Sequence, residues 1–309
     1  MRPPSRLAII TAFAAVYLIW GSTYLAILFA IQSMPPLLMA GTRFFAAGVI
    51  MLAFAFWQGA ARSGWREWRT SLIMGAALLL GGNGGVTLSE QYIASGLAAV
   101  MVATVPIYMA MLGWLVGSSP RPRPIVWAGL AGGFAGVALL LGPSVNLVDS
   151  EHPHATTGML ILLASSFAWA AGSIYSRHAP NAPSPFIATG QQMLCGGGLL
   201  LFAAGIRGEW QRFDPKMITA TSFWAWVYLV LIGAIVGYTA YMWLLRHCEP
   251  AKVATYAYVN PIVAVLLGAF FAAEKMTTRT LLAAGLIIGS VALVITADQL
   301  RSRSRPPGA

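Results

Sequence analysis

Charge is what this chain has least of. Aspartate, glutamate, lysine and arginine make up 9% of its 309 residues, against about 25% in a soluble domain, so it cannot clothe a water-facing surface. Cysteine is also nearly missing. Cys195 and Cys248 lie within or at the end of apolar runs, which argues against a disulfide framework or a cysteine metal site and leaves packing as their role. Catalytic groups at depth are missing too. His152, His154, His178 and His247 fall in loops or at helix ends, and Asp149, Asp214 and Asp298 are likewise terminal. No HExxH, no pair of carboxylates inside an apolar run and no Ser–His set appears, so an intramembrane enzyme is not expected, nor is a metal or other cofactor. The net charge of +10 is not gathered into a basic patch interleaved with aromatics, which argues against nucleic acid as a partner.

What is present is apolar: 58% of the residues are hydrophobic. Runs of about 20 apolar residues cross a bilayer as helices, and ten such runs are read at 7–29, 36–57, 71–90, 96–117, 125–142, 157–176, 185–205, 220–245, 252–273 and 279–298. The first could pass for a signal peptide, but its length and its place among ten favour an uncleaved span. Basic residues accumulate on the cytoplasmic side of a membrane protein. With the N-terminus inside, thirteen Lys and Arg fall on inner segments and five on outer ones, and Arg43 alone lies within a span. Both termini are therefore expected in the cytoplasm. The partners are a lipid bilayer and a small-molecule substrate, with monomer and homodimer both open.

The run Ala251–Glu274 carries Tyr256, Tyr258 and Asn260 and then Pro261 near its middle, where a helix can least tolerate a missing N–H. Gly96–Ser119 matches it without a gap at a spacing of 155, setting Pro106 on Pro261 and Gly113 on Gly268. Gly21-Ser22-Thr23-Tyr24 matches Gly172-Ser173-Ile174-Tyr175 at 151, and Arg43 meets Gln192 at 149. Gly129 and Gly133 meet Gly285 and Gly289 at 156. Chance among small apolar residues is the competing account, and the narrow band of offsets weighs against it. Each copy holds an odd number of spans, so the second sits upside down. The expected fold is an all-α integral membrane protein, with ten transmembrane helices as two inverted five-helix repeats (7–142 and 157–298) around a central cavity, and short tails at 1–6 and 299–309. Interrupted helices in matching positions of inverted repeats mark secondary transporters. A channel shares the wet polar path, and the repeat favours alternating access without forbidding facilitated diffusion.

The motifs Trp20-Gly21-Ser22-Thr23-Tyr24, Gly82-Asn83-Gly84, Ala103-Thr104-Val105-Pro106 and Tyr258-Val259-Asn260-Pro261 with Glu274 carry a resemblance to the ten-helix EamA-type exporters of the drug/metabolite transporter superfamily, over nearly all of the chain. The first copy departs from the pattern in having Ser119 where the second has Glu274. The resemblance implies a multi-pass protein of the bacterial inner membrane that moves amino acids, related metabolites or toxic cations, with export as the direction. It does not name the substrate.

Ionisable and polar groups inside a span are expensive and mark candidate sites. Arg43 lies about seven residues, roughly 10 Å, into the second helix. It could snorkel outward, form a structural ion pair, or join Glu90 as an outer gate or as the holder of a substrate carboxylate. Asn83, among four glycines, either faces the cavity or bonds a neighbouring helix. Its partner in the repeat is Tyr238. Trp and Tyr collect at membrane interfaces, which accounts for Trp57, Trp65, Trp68, Trp127, Trp210, Trp224 and Trp226. Trp20, Tyr24, Tyr108, Trp169, Tyr175, Tyr238, Tyr241 and Tyr256 lie deeper and are read, with Asn260, as a cavity lining, although packing explains any one of them. Proton coupling, where it occurs, is assigned to Glu90.

Overall fold

The computed structural model describes residues 4–89, 91–92, 101–141, 155–182, 184–272 and 278–303. Within them the chain is helical, with no strand. The long helices are α1 (Arg6–Ile31), α2 (Pro36–Trp57), α3 (Trp65–Ser89), α4 (Val105–Leu115) and α5 (Pro124–Leu141), then α6 (Ala155–Tyr175), α7 (Pro185–Ile206), α8 (Ala220–His247), α9 (Tyr256–Ala272) and α10 (Thr278–Arg303). Six of them, α1, α2, α3, α6, α7 and α8, are long and apolar enough to cross a membrane. Large apolar side chains such as Leu18, Phe54 and Phe202 point outward from these helices. In water they would be a liability; against lipid tails they are the expected surface.

The helices pack by backbone approach, as helices in lipid do where small residues line the contact. α2 lies antiparallel on α7: a Cβ added at Gly48 would stand 2.6 Å from the Leu194 backbone nitrogen, while Gly41 abuts Leu201. α5 lies antiparallel on α10 in the same way, with Gly129 against Val294 and Gly136 against Ile287. The remaining contacts form a pattern that survives adding five to each helix number. α1 packs on α8 and α9, and α6 packs on α3 and α4. α2 touches α8, and α7 touches α3.

The helix interruptions are not where the prolines stand. In the first half the chain turns at Ala103–Thr104, and Pro106 sits in the first turn of α4, a position where its missing N–H costs nothing. In the second half a short helix, Pro250–Val253, turns at Ala254–Thr255 into α9, and Pro261 lies inside α9 without ending it. Both turns are closed alike: Thr104 Oγ1 donates to Met101 O and Thr255 Oγ1 donates to Lys252 O, each at 2.6 Å. The true repeated element is thus an Ala–Thr turn at an offset of 151, the offset of the Gly21 and Gly172 motifs, rather than a proline pair at 155.

A second irregularity also occurs twice. α3 and α8 are π-helical over Gly75–Gly84 and Leu229–Tyr238. A π turn hydrogen-bonds to the fifth residue back and is rarely longer than a single turn, mostly at functional sites. Ten residues in each of two corresponding helices is therefore a property of the fold.

Candidate functional site

A cavity of about 820 Å³, its mouth included, lies between the two Ala–Thr turns and the two π segments. Val102 and Val105 line it beside the first turn, Tyr256 and Asn260 beside the second, Gly82 and Asn83 from one π segment, and Gly233, Ala234 and Tyr238 from the other. α2 contributes Arg43 and Phe44, and α6 contributes Ser165, Ser166 and Trp169.

Arg43 is 4% exposed, so it does not snorkel to the membrane surface. Its Nη2 donates to Asn83 Oδ1 at 2.7 Å, a short charge-assisted bond of the stronger kind. Asn83 therefore both faces the cavity and bonds across helices. Glu90, the expected partner of Arg43, lies outside the described residues, as does Glu274. The opposite half repeats the arrangement with neutral groups: Tyr238 donates its hydroxyl to Gln192 Oε1 at 3.2 Å. The positions matched in sequence, Arg43 with Gln192 and Asn83 with Tyr238, thus occupy matching places in two α2–α3-type hydrogen bonds. Asn260 ties α9 to α1 with its amide assigned so that the nitrogen faces the two neighbouring carbonyls, donating to Tyr256 O at 3.0 Å and Tyr17 O at 3.3 Å.

The aromatic side chains make a floor. Trp20 packs against Trp169, Tyr241 and Tyr256 with ring centroids 5.0–5.6 Å apart, the spacing of favourable edge and tilted pairs. Trp20 Nε1 donates to the Gly233 carbonyl within the π segment at 3.3 Å. Each tryptophan lies on a glycine of the other half's π helix. A Cβ at Gly237 would meet Trp20 Nε1, and one at Gly82 would meet Trp169 Cε3, both at 2.6 Å. Beneath the floor Tyr241 is fully buried, accepting from Trp169 Nε1 at 2.9 Å and sharing a 2.6 Å bond with Ser173. Tyr17 and Thr255 close the same end through a 2.6 Å hydroxyl pair.

Of the candidates, Trp20, Arg43, Asn83, Trp169, Tyr238, Tyr256 and Asn260 come together on the cavity wall. Tyr241 stands behind it as a positioning group. Tyr108 and Tyr175 are corrected: Tyr108 packs edge-on against Phe167 and Tyr175 against the core, and neither lines the cavity. The side chain of Tyr24 lies outside the described residues. Sequence reasoning missed Ser165 and Ser166, because serine inside an apolar run is cheap and ordinary. Ser165 Oγ satisfies itself on Ile161 O at 2.7 Å, whereas Ser166 Oγ, buried on the wall, has no hydrogen-bond partner among the described residues. Glu209 was missed as well. It is a buried carboxylate away from the cavity, and its Oε2 accepts from Leu38 N at 2.9 Å, supplying the cap that α2 lacks in its own sequence. Among the described residues no acidic side chain lines the cavity and no group of His, Cys, Asp and Glu could hold a metal ion.

The EamA-like transporter family matches residues 6–142 and again 156–296. The chain is 40% identical over 295 residues to the Escherichia coli (strain K12) protein called uncharacterized inner membrane transporter YedA, covering 95% of this chain and 92% of that one. It is 26% identical over 310 residues to a Salmonella typhimurium protein called a probable amino-acid metabolite efflux pump, covering 95% and 96%. A solved crystal structure superposes with a TM-score of 0.76 at 19% identity, over 94% of this chain and 98% of that one.

Proposed function

We propose that this chain, which belongs to the EamA-like transporter family and is a multi-pass membrane transporter, exports small carboxylate-bearing metabolites across the bacterial inner membrane by alternating access. The observation that carries the reading is the cavity itself. One wall holds the buried Arg43 bonded to Asn83, and the floor is a cluster of indole and phenol rings. A buried guanidinium presents several fixed donors and suits a carboxylate. The aromatic floor suits an apolar or amine-bearing remainder, through ring contact and cation–π attraction. A permanent positive charge in the wall works against a simple toxic cation as cargo. Export rests on the name of the Salmonella relative, a probable efflux pump, and on the family resemblance.

Repeats bounded near 7–142 and 157–298 are the moving bodies of this reading. The rings on the 241–256 side make the closed floor, and that end faces the cytoplasm if the thirteen-to-five charge bias sets the orientation. The cavity is then open toward the periplasm, and the cytoplasmic exit opens when the Trp20–Trp169 contact parts. A floor this tightly packed favours a carrier over a continuously open pore.

Counterflow in proteoliposomes tests the reading. Vesicles preloaded with unlabelled aromatic or aliphatic amino acids, and in separate sets with quaternary amines, are diluted into tracer. Saturable, trans-stimulated uptake of an amino acid and none of the quaternary amine is expected. Flux linear in concentration, or trans-stimulation by the amine alone, would overturn the carrier or the substrate class respectively.

A further inference from the structure

A second cavity, of about 550 Å³ with its open mouth included, lies away from the central one, between the loop that joins α4 to α5 and the short helix that precedes the second Ala–Thr turn. Its rim carries Arg121, Arg123 and Lys252 against the single carboxylate of Glu249. Its inner wall is apolar, made by Met109, Val126 and Val294 of α4, α5 and α10. The eighteen-residue helix α5 starts at Pro124, directly after Arg123, and adds its positive N-terminal end to the same rim. Arg121 is held with its Cζ 5.5 Å from the ring of Trp114. Trp114 and Trp127 are both partly exposed at this level, as expected of rings at the membrane–water boundary.

We propose that this cleft binds the headgroup phosphate of an anionic phospholipid. Three cations concentrate positive charge at the mouth, and the positive end of the α5 dipole lies beside them, a combination that favours a phosphate. The apolar inner wall distinguishes a lipid from a free anion, because inorganic phosphate has nothing to place against Met109, Val126 and Val294. Basic pockets between membrane helices on the cytoplasmic side are where anionic headgroups are drawn. By bridging the 119–123 loop of one half and the 249–252 turn of the other, a bound headgroup ties the two halves together beside the Thr255 turn. The site needs no cargo, so it stands or falls independently of the transport reading.

The test is a titration of the purified full-length protein in detergent, followed by its thermal unfolding midpoint. Short-chain phosphatidylglycerol, short-chain phosphatidylcholine and inorganic phosphate are the probes. Phosphatidylglycerol should raise the midpoint saturably and the other two should not. Arg121→Gln/Arg123→Gln/Lys252→Gln should weaken the effect by on the order of 100-fold, and Lys252→Gln alone by about fivefold. Arg62→Gln/Arg66→Gln/Arg69→Gln, which removes as much charge elsewhere, should leave it unchanged. Equal stabilisation by phosphatidylcholine overturns the proposal, and a matching shift with phosphate alone makes the cleft a plain anion site. An undiminished phosphatidylglycerol effect in Lys252→Gln, or in the triple variant where it folds, also refutes it.

Discussion

Arg43 carries the largest single consequence. Its charge is buried on the cavity wall and bonded to Asn83, so Arg43→Gln keeps a polar side chain of some reach and removes only the charge and the fork of donors. If the guanidinium holds a substrate carboxylate, the loss is that of a buried charged hydrogen bond, about 2–5 kcal/mol. In counterflow this should read as a rise of KM by about thirtyfold or more, with the purified protein still monodisperse. Arg43→Lys restores charge without the planar fork and should recover only part. An unchanged KM in Arg43→Gln would show that the charge serves packing alone. That Arg43 and Asn83 are candidates for a cavity wall was readable in the sequence, since intramembrane arginine and an amide amid glycines are costly. That they bond each other was not. Forty residues separate them, and residue type alone points a guanidinium to the carboxylate of Glu90 rather than to an amide.

At the scale of helices, what matters is how closely elements approach and in what register. The π segments could not be read in advance: helices apolar on every face show no periodicity from which an extra residue per turn would stand out. The Ala–Thr turns were equally hidden, because proline is the conspicuous helix breaker and the pair Pro106 and Pro261 drew the break to itself. The glycines show a further divergence between sequence match and packing. Gly129 and Gly133 pack on Val294 and Tyr258, while their sequence partners Gly285 and Gly289 have nothing among the described residues within 4 Å of an added Cβ. Gly82 and Gly237 are the closely packed pair instead, each bearing a tryptophan of the other half. Gly237→Ala and Gly82→Ala force apart contacts that a ring wedged among other rings cannot relieve, and each should destabilise by about 1–3 kcal/mol. Gly285→Ala and Gly289→Ala should be neutral or slightly stabilising, since alanine favours a helix by up to about 1 kcal/mol over glycine. Thermal unfolding of the four variants in detergent checks this, and indistinguishable midpoints would mean that the π helices do not depend on the tryptophan contacts.

At the scale of the molecule, the pattern of contacts survives adding five to each helix number, and on the proposed alternating-access reading the same parts take two related arrangements. α1 grips α8 and α9 as α6 grips α3 and α4, yet the paired side chains are not identical. The Arg43–Asn83 bond is charged and the Gln192–Tyr238 bond is neutral. The aromatic floor closes one end of the cavity. Two such states can exchange when they differ by a few kcal/mol, and a ligand shifts them only as far as it prefers one. Ser166 offers a way to observe that exchange. Its hydroxyl is buried on the cavity wall with no hydrogen-bond partner among the described residues, so Ser166→Cys costs little. In a background with Cys195→Ser and Cys248→Ser, an impermeant thiol reagent should modify that cysteine from the periplasmic side at least about tenfold faster than from the cytoplasmic side, the ratio of a state favoured by a little over 1 kcal/mol. Saturating substrate should slow the periplasmic reaction and quicken the cytoplasmic one, because a carrier exposes the site to one side at a time. Equal rates from both sides, unmoved by substrate, would describe a pore and remove alternating access from the account of this chain.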